Sequence, residues 1–333
     1  MNPPHSAPAP GFQDRSTGLT LFGLATILLG GLCACFVPMM FFGQTMTART
    51  SGMPVNFRAV VPGAVIYGLM AIVMVWLGIG SLLARRWART LLLIFAGSWL
   101  IMGVLSLAMM AMMLPQMMEA IRLAQPPGQA PLPEVMLTII MGIMLLVMAV
   151  IFLVLPGVWT LFYRSPHVKA TCEARDPVER WTDRCPGPVL SISLWLALGV
   201  PMMLSVPLAY HGVIPFFGVF LTGVPGTLIY LLLAVIWTYA AWATYRLDPK
   251  GWWVTLISFT LFGISAVVTY ARHDPMEMYS LMGFPEQQLE QMRQFGVMSQ
   301  RTLIIWSVLF EGLLVGSLLY VRKHFQRAEP KFR

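Results

Sequence analysis

Eight runs of about 20 or more mostly apolar residues, each bounded by short charged or polar caps, restrict this chain to one solvent. A helix rises 1.5 Å per residue, so about 20 residues cross the roughly 30 Å of bilayer hydrocarbon. Helices also pair their backbone groups internally, as hydrocarbon requires. The runs predict spanning helices near 18–42, 61–84, 88–113, 134–161, 188–210, 224–246, 251–271 and 302–321.

Composition agrees with that reading. Of 333 residues, 57% are apolar and 11% charged, against about 25% charged in soluble domains. The net charge of +8 does not point to nucleic acid, because the basic residues sit in caps between apolar runs rather than on one surface. The lipid bilayer is the expected partner, and protein partners and oligomeric state are not read. Frequent Gly and Pro are tolerated in bilayer helices, where neighbouring helices satisfy the freed backbone groups.

With the N-terminus placed in the cytoplasm, 16 of the 22 Lys and Arg fall in segments on that side and 6 on the other. The positive-inside bias then predicts both termini cytoplasmic, and the loops and tails suit a bacterial inner membrane. The expected organisation is a disordered cytoplasmic tail (1–17), a first four-helix unit (18–163), a cytoplasmic linker (164–187), a second four-helix unit (188–322) and a short tail (323–333). Leu32-Cys33-Ala34-Cys35 loosely resembles a lipoprotein cleavage box, which would remove the first helix. Arg15 alone makes a poor positive region before it, and an internal repeat requires that helix to stay.

That repeat is carried by two blocks. Val37-Pro38-Met39-Met40 recurs as Val200-Pro201-Met202-Met203, and Val61-Pro62-Gly63 recurs as Val224-Pro225-Gly226, both at an offset of 163. Ile66, Tyr67, Leu69 and Ala71 recur at the same offset as Ile229, Tyr230, Leu232 and Ala234. The predicted fold class is an all-α membrane protein, its eight transmembrane helices forming two parallel four-helix repeats related by a pseudo-twofold axis along the membrane normal. Pro62 and Pro225 read as helix starts, where a first-turn residue needs no amide donor. Pro38 and Pro201 lie deeper, as repeat-matched kinks that could line a cavity or be inherited packing.

Glu311 is the one ionisable residue well inside a predicted span, and an intramembrane acid is a functional candidate by its cost alone. The linker holds His167, Cys172 and Cys185 among acids and arginines, a weak candidate for zinc because no C-x-x-C pair is present; the alternative is an ordered connector of paired charges. Cys33 and Cys35, two residues apart on a helix, point to different faces and read as inert. Methionines gather near one end of the spans (109, 110, 112, 113, 117, 118 and 276, 278, 282, 292, 298). They are a weak candidate for copper, against the flexible packing that methionine also supplies. No cofactor is therefore assigned. Residues 285–295 read as an amphipathic interfacial helix, and His273 and Asp274 as a charge cap rather than a catalytic dyad.

No nucleophile with base and orienter, no phosphate loop and no acid pair is visible, so an enzyme is not expected. The two-half form resembles transporters with parallel repeats, an analogy of form only. The favoured reading is a transporter or permease with its pathway at the repeat interface and Glu311 near it. The alternative is a non-transporting scaffold or sensor that binds partners through the linker and the loops.

Overall fold

The computed structural model describes residues 13–51, 57–123, 133–295 and 299–326. The first half contains α1 (Ser16–Ser51), a 3-10 turn at Phe57–Val60, α2 (Val61–Leu82), α3 (Arg86–Leu123), α4 (Glu134–Ala149), a π turn at Val150–Val154 and α5 (Leu155–Arg164). The linker forms α6 (Pro166–Arg175) and a 3-10 turn at Trp181–Asp183. Then follow α7 (Gly187–Ala209), a hairpin of β1 (Ile214–Phe216) and β2 (Val219–Leu221), α8 (Gly223–Tyr245), α9 (Pro249–Arg272), α10 (Pro275–Leu281), α11 (Glu286–Phe295) and α12 (Gln300–Gln326).

Among the described residues, eight helical segments are long and apolar enough to cross a membrane, and they match the eight predicted runs in order. The protein is accordingly a helical multi-pass membrane protein. α1 continues past residue 42 to Ser51 and α3 past 113 to Leu123, with Pro38 and Pro115 inside them. Residues 1–12, most of the predicted N-terminal tail, and 327–333 lie outside the described residues, as does Met298; α12 itself runs to Gln326.

By packing, the chain divides into two compact units, and the division runs through α1 to α4. In the unit of residues up to Cys35, Gly68–Ser106 and Val147–Arg184, glycines set the helix spacing. A Cβ at Gly23 would lie 2.9 Å from the Gly78 carbonyl oxygen, and one at Gly30 would lie 3.1 Å from that of Ala71, so α1 and α2 pack backbone to backbone. Phe22 stacks on Phe162 at 4.1 Å, joining α1 to α5. The buried Ser81 hydroxyl donates to the Leu19 carbonyl at 3.0 Å and lies 2.7 Å from the Tyr163 hydroxyl. Pro156 has no amide to offer the Phe152 carbonyl four residues back, and the π turn falls there, with Leu155 N–H bonding Val150 O. Gly103 of α3 lies against the Phe152 carbonyl, where any Cβ would collide.

In the other unit, α7, α8, α9 and α12 pack as antiparallel neighbours. Ser193 donates to the Ala241 carbonyl at 2.7 Å, and Trp237 covers Gly199 while stacking on Phe259 at 4.8 Å. α12 runs along α9: Trp252 Nε1 donates to Leu318 O at 2.8 Å near one end and Gln300 Nε2 to Tyr270 O at 2.6 Å near the other.

Two tight helix turns share one geometry. Ala84 and Leu247 adopt positive φ, 49° and 60°. Ala84 N–H bonds Ser81 O and Arg85 N–H bonds Gly80 O; likewise Leu247 N–H bonds Thr244 O and Asp248 N–H bonds Ala243 O, all at 2.9–3.0 Å. Each is a Schellman closure of a helix C-terminus with a residue other than glycine in the left-handed position.

Candidate functional site

α12 presents Glu311 to α9, where sequence puts a notch. A Cβ at Gly263 would lie 2.7 Å from Glu311 Oε2, so the carboxyl occupies the space that the missing side chain at position 263 leaves open. Thr260, one turn away on α9, places its hydroxyl near the carboxyl. Oε1 is buried and has no hydrogen-bond partner among the described residues. A carboxyl oxygen in a hydrocarbon-crossing segment is costly to bury unless it is protonated, hydrated or paired. Among the described residues Trp306 Nε1, on the same helix, is also buried without a hydrogen-bond partner, as is Trp237 Nε1 on α8. The acid was visible in the sequence, but Gly263 and Thr260 were not, because only the register of α9 against α12 brings them to it.

Of the four prolines in the sequence blocks, two lie at helix starts and two inside helices. Pro62 is the second residue of α2 and Pro225 the third of α8, while Pro38 and Pro201 lie inside α1 and α7. Pro207 is a further proline inside α7.

The linker is a knot of paired charge. Asp176, with a side chain only 2% exposed, accepts from Arg180 Nη2 at 2.8 Å and Nε at 3.3 Å, and from the Arg86 amide at 3.4 Å; Arg85 lies 3.8 Å away. The hydrogen bond from Arg180 holds the Asp176 carboxyl below the ordinary aspartate range, against the opposing effect of burial. Arg86 also reaches Glu173 at 3.6 Å and Asp183 at 3.5 Å. Thr171 accepts from the Arg15 amide at 3.1 Å, tying α6 to the start of α1.

Cys172 and Cys185 are buried free thiols, each pushed up to about 11 by that burial. His167 sits in the first turn of α6, and its carbonyl accepts from Thr171. Among the described residues no three His, Cys, Asp or Glu side chains come together in a group able to hold a metal ion. The methionines do not act alike: Met113, Met276 and Met278 are buried, Met112 is exposed, and the Met278 sulfur accepts from the Tyr270 hydroxyl at 3.5 Å.

At the far end of α9, His273 lies between two acceptors, the Gly218 carbonyl at 3.0 Å from Nε2 and the Glu277 carboxylate at 2.9 Å from Nδ1. Asp274 caps α10 by accepting from the Met276 amide at 2.9 Å. In α11, Leu289 is buried while Glu286, Glu290 and Arg293 are exposed and paired with one another.

Compared with protein-family models, with curated proteins and with solved structures, this chain matches none of them.

Proposed function

We propose that the protein is a transporter or permease of the bacterial inner membrane, in which Glu311 is the exchangeable group of a solute pathway bordered by α9 and α12. The observation that carries this reading is the Glu311 carboxyl, seated on Gly263 and Thr260 with Oε1 open. A purely structural acid at this depth would be expected to use both oxygens in packing. The reading from sequence put the pathway at the interface between the two halves; the contacts of Glu311 favour the α9–α12 groove within the second half.

Parallel duplication is part of the same proposal. The two Schellman turns support it, because Ala84 and Leu247, and every donor and acceptor around them, are separated by the offset that relates the sequence blocks. Helix contacts favour a different mate for Pro38. Gly30 faces Met74 and Gly199 faces Trp237, and Met74 and Trp237 are themselves 163 apart. In that contact register, Val37-Pro38 corresponds to Val206-Pro207 rather than to Val200-Pro201. Both termini are proposed to be cytoplasmic, on the positive-inside count.

The test is purified protein in proteoliposomes, screened for flux of ions and small solutes with and without a proton gradient. Flux in the wild type that is lost in Glu311→Gln and partly kept in Glu311→Asp is expected. Absence of flux for every solute, or wild-type flux in Glu311→Gln, overturns the reading and favours a scaffold or sensor that binds partners through the linker.

A further inference from the structure

The hairpin of β1 and β2 sits at the end of α9 that carries Arg272, yet it does not lie beyond that end. Phe217 N–H donates to Ser265 Oγ at 2.9 Å and Gly218 N–H to Thr269 Oγ1 at 2.9 Å. Ser265 and Thr269 belong to the membrane-crossing helix Pro249–Arg272, and seven residues separate Ser265 from Arg272, a depth of about 10 Å along the axis. Ser265 also donates to the Pro215 carbonyl at 3.1 Å, and the His273 ring lies 3.0 Å from the Gly218 carbonyl. The strands pair Ile214 with Leu221 and Phe216 with Val219. The turn at Phe217 and Gly218, both with positive φ, thus has its amides and the Gly218 carbonyl met by α9 or by the residue that follows it. Irregular backbone is tolerated at membrane depth under that condition. A hairpin in water has no need of it, since water satisfies an exposed turn.

Part of the hairpin is both apolar and exposed. Phe216, Phe217 and Val219 are 36%, 46% and 49% exposed. The chain on either side of the hairpin continues the same character, with Leu208 at the end of α7 and Val224 at the start of α8 both more than 70% exposed. These flanking side chains belong to helices long and apolar enough to cross the membrane, and the hairpin is the segment that joins them.

We propose that residues 214–221 form a re-entrant hairpin whose Phe216, Phe217 and Val219 face is seated in phospholipid, in the acyl-chain region of the leaflet on the Arg272 side. Its occupant is lipid rather than a second copy of the chain or another protein. The assignment rests on the membrane-crossing character of α9 and is independent of the transport reading.

Photo-crosslinking of the full-length protein tests it. p-Benzoylphenylalanine, close to phenylalanine in shape, is placed singly at Phe217, Val219, Leu232 and Ile214. The protein is reconstituted in phosphatidylethanolamine and phosphatidylglycerol vesicles, irradiated and read by intact-mass and peptide mass spectrometry. Leu232, exposed in the middle of α8, is the lipid-facing reference, and the buried Ile214 is the intramolecular one. Phospholipid adducts at Phe217 and Val219 with a yield comparable to Leu232 are the expected result. Adducts to a second copy of the chain, or adducts at Leu232 with none at Phe217 and Val219, overturn the proposal. Loss of lipid adducts at Val219 on adding Ser265→Ala, with Leu232 unchanged, would further tie the seating to α9; retention of both would mean that α9 does not hold the hairpin in lipid.

Discussion

Gly63 and Gly226 occupy the same place in the same tripeptide and face different neighbours. A Cβ at Gly226 would run into the Gly212 carbonyl, which is backbone and cannot turn aside, whereas one at Gly63 would meet only the Met40 thioether at 3.0 Å. Gly226→Ala is therefore expected to destabilise by about 1–3 kcal/mol, the range for overpacking, while Gly63→Ala is absorbed by a rotation of methionine. Thermal unfolding in detergent compares the two, and equal losses would refute the distinction. Ala84 and Leu247 invite the opposite change. An L-residue in the left-handed region costs about 1–2 kcal/mol, partly offset by glycine's greater freedom when unfolded. Ala84→Gly is accordingly expected to raise stability by about 0.5 kcal/mol, whereas Ala84→Val lowers it. A lower melting temperature for Ala84→Gly than for wild type would contradict this. Residue identity announces such places unevenly. Glu311 stands out because a carboxylate interrupts an apolar run, but nothing in the sequence says that Gly263 is its seat.

The spanning helices were legible because each needs only length and apolar content, which a window of 20 residues contains. Elements that depend on pairing were not. The hairpin at 214–221 is built of Ile, Pro, Phe, Gly, Val and Leu, residues that the helices beside it also use, and three-residue strands are too short to show an alternating period. The π turn leaves only Pro156 as its trace. The linker was legible as charged, and of its two readings the paired-charge connector agrees with α6 and the 3-10 turn around Asp176. Asp176→Asn removes the charge that Arg85 and Arg180 face; a loss of about 2 kcal/mol is expected, below the roughly 3–5 for a pair buried at both ends, because those arginines reach water. The pH dependence has a definite sign. A carboxyl held below its ordinary range contributes fully above that range and loses its contribution as pH falls through the lowered value. Proteolysis of the linker should therefore stay slow at neutral pH and accelerate only in acid, and Asp176→Asn should cut quickly at neutral pH. Cleavage of the variant at the wild-type rate would show that Asp176 does not hold the linker. Cys172 and Cys185 report on the same element: raised by burial to about 11, both should resist alkylation at pH 7.5 until the protein is denatured.

For the molecule as a whole, eight helices are long and apolar enough to cross a membrane, and the reading in which all eight span puts both ends on one side. Reporter fusions after Gln326 and before Ser16 are expected to give the same, cytoplasmic, signal, and opposite signals would mean that one of the eight helices does not span. The charge knot also bears on how the chain can be divided in time. Arg85 and Arg86 close the turn between α2 and α3, but the acids they meet, Glu173, Asp176 and Asp183, follow roughly ninety residues later. At a synthesis rate of about 5–20 residues per second, those arginines wait several seconds for their counter-charges. A nascent chain stopped after α5 would hold its helices without the segment that neutralises their turn. What reads as a connector between two halves is, in order of manufacture, the closing piece of the first.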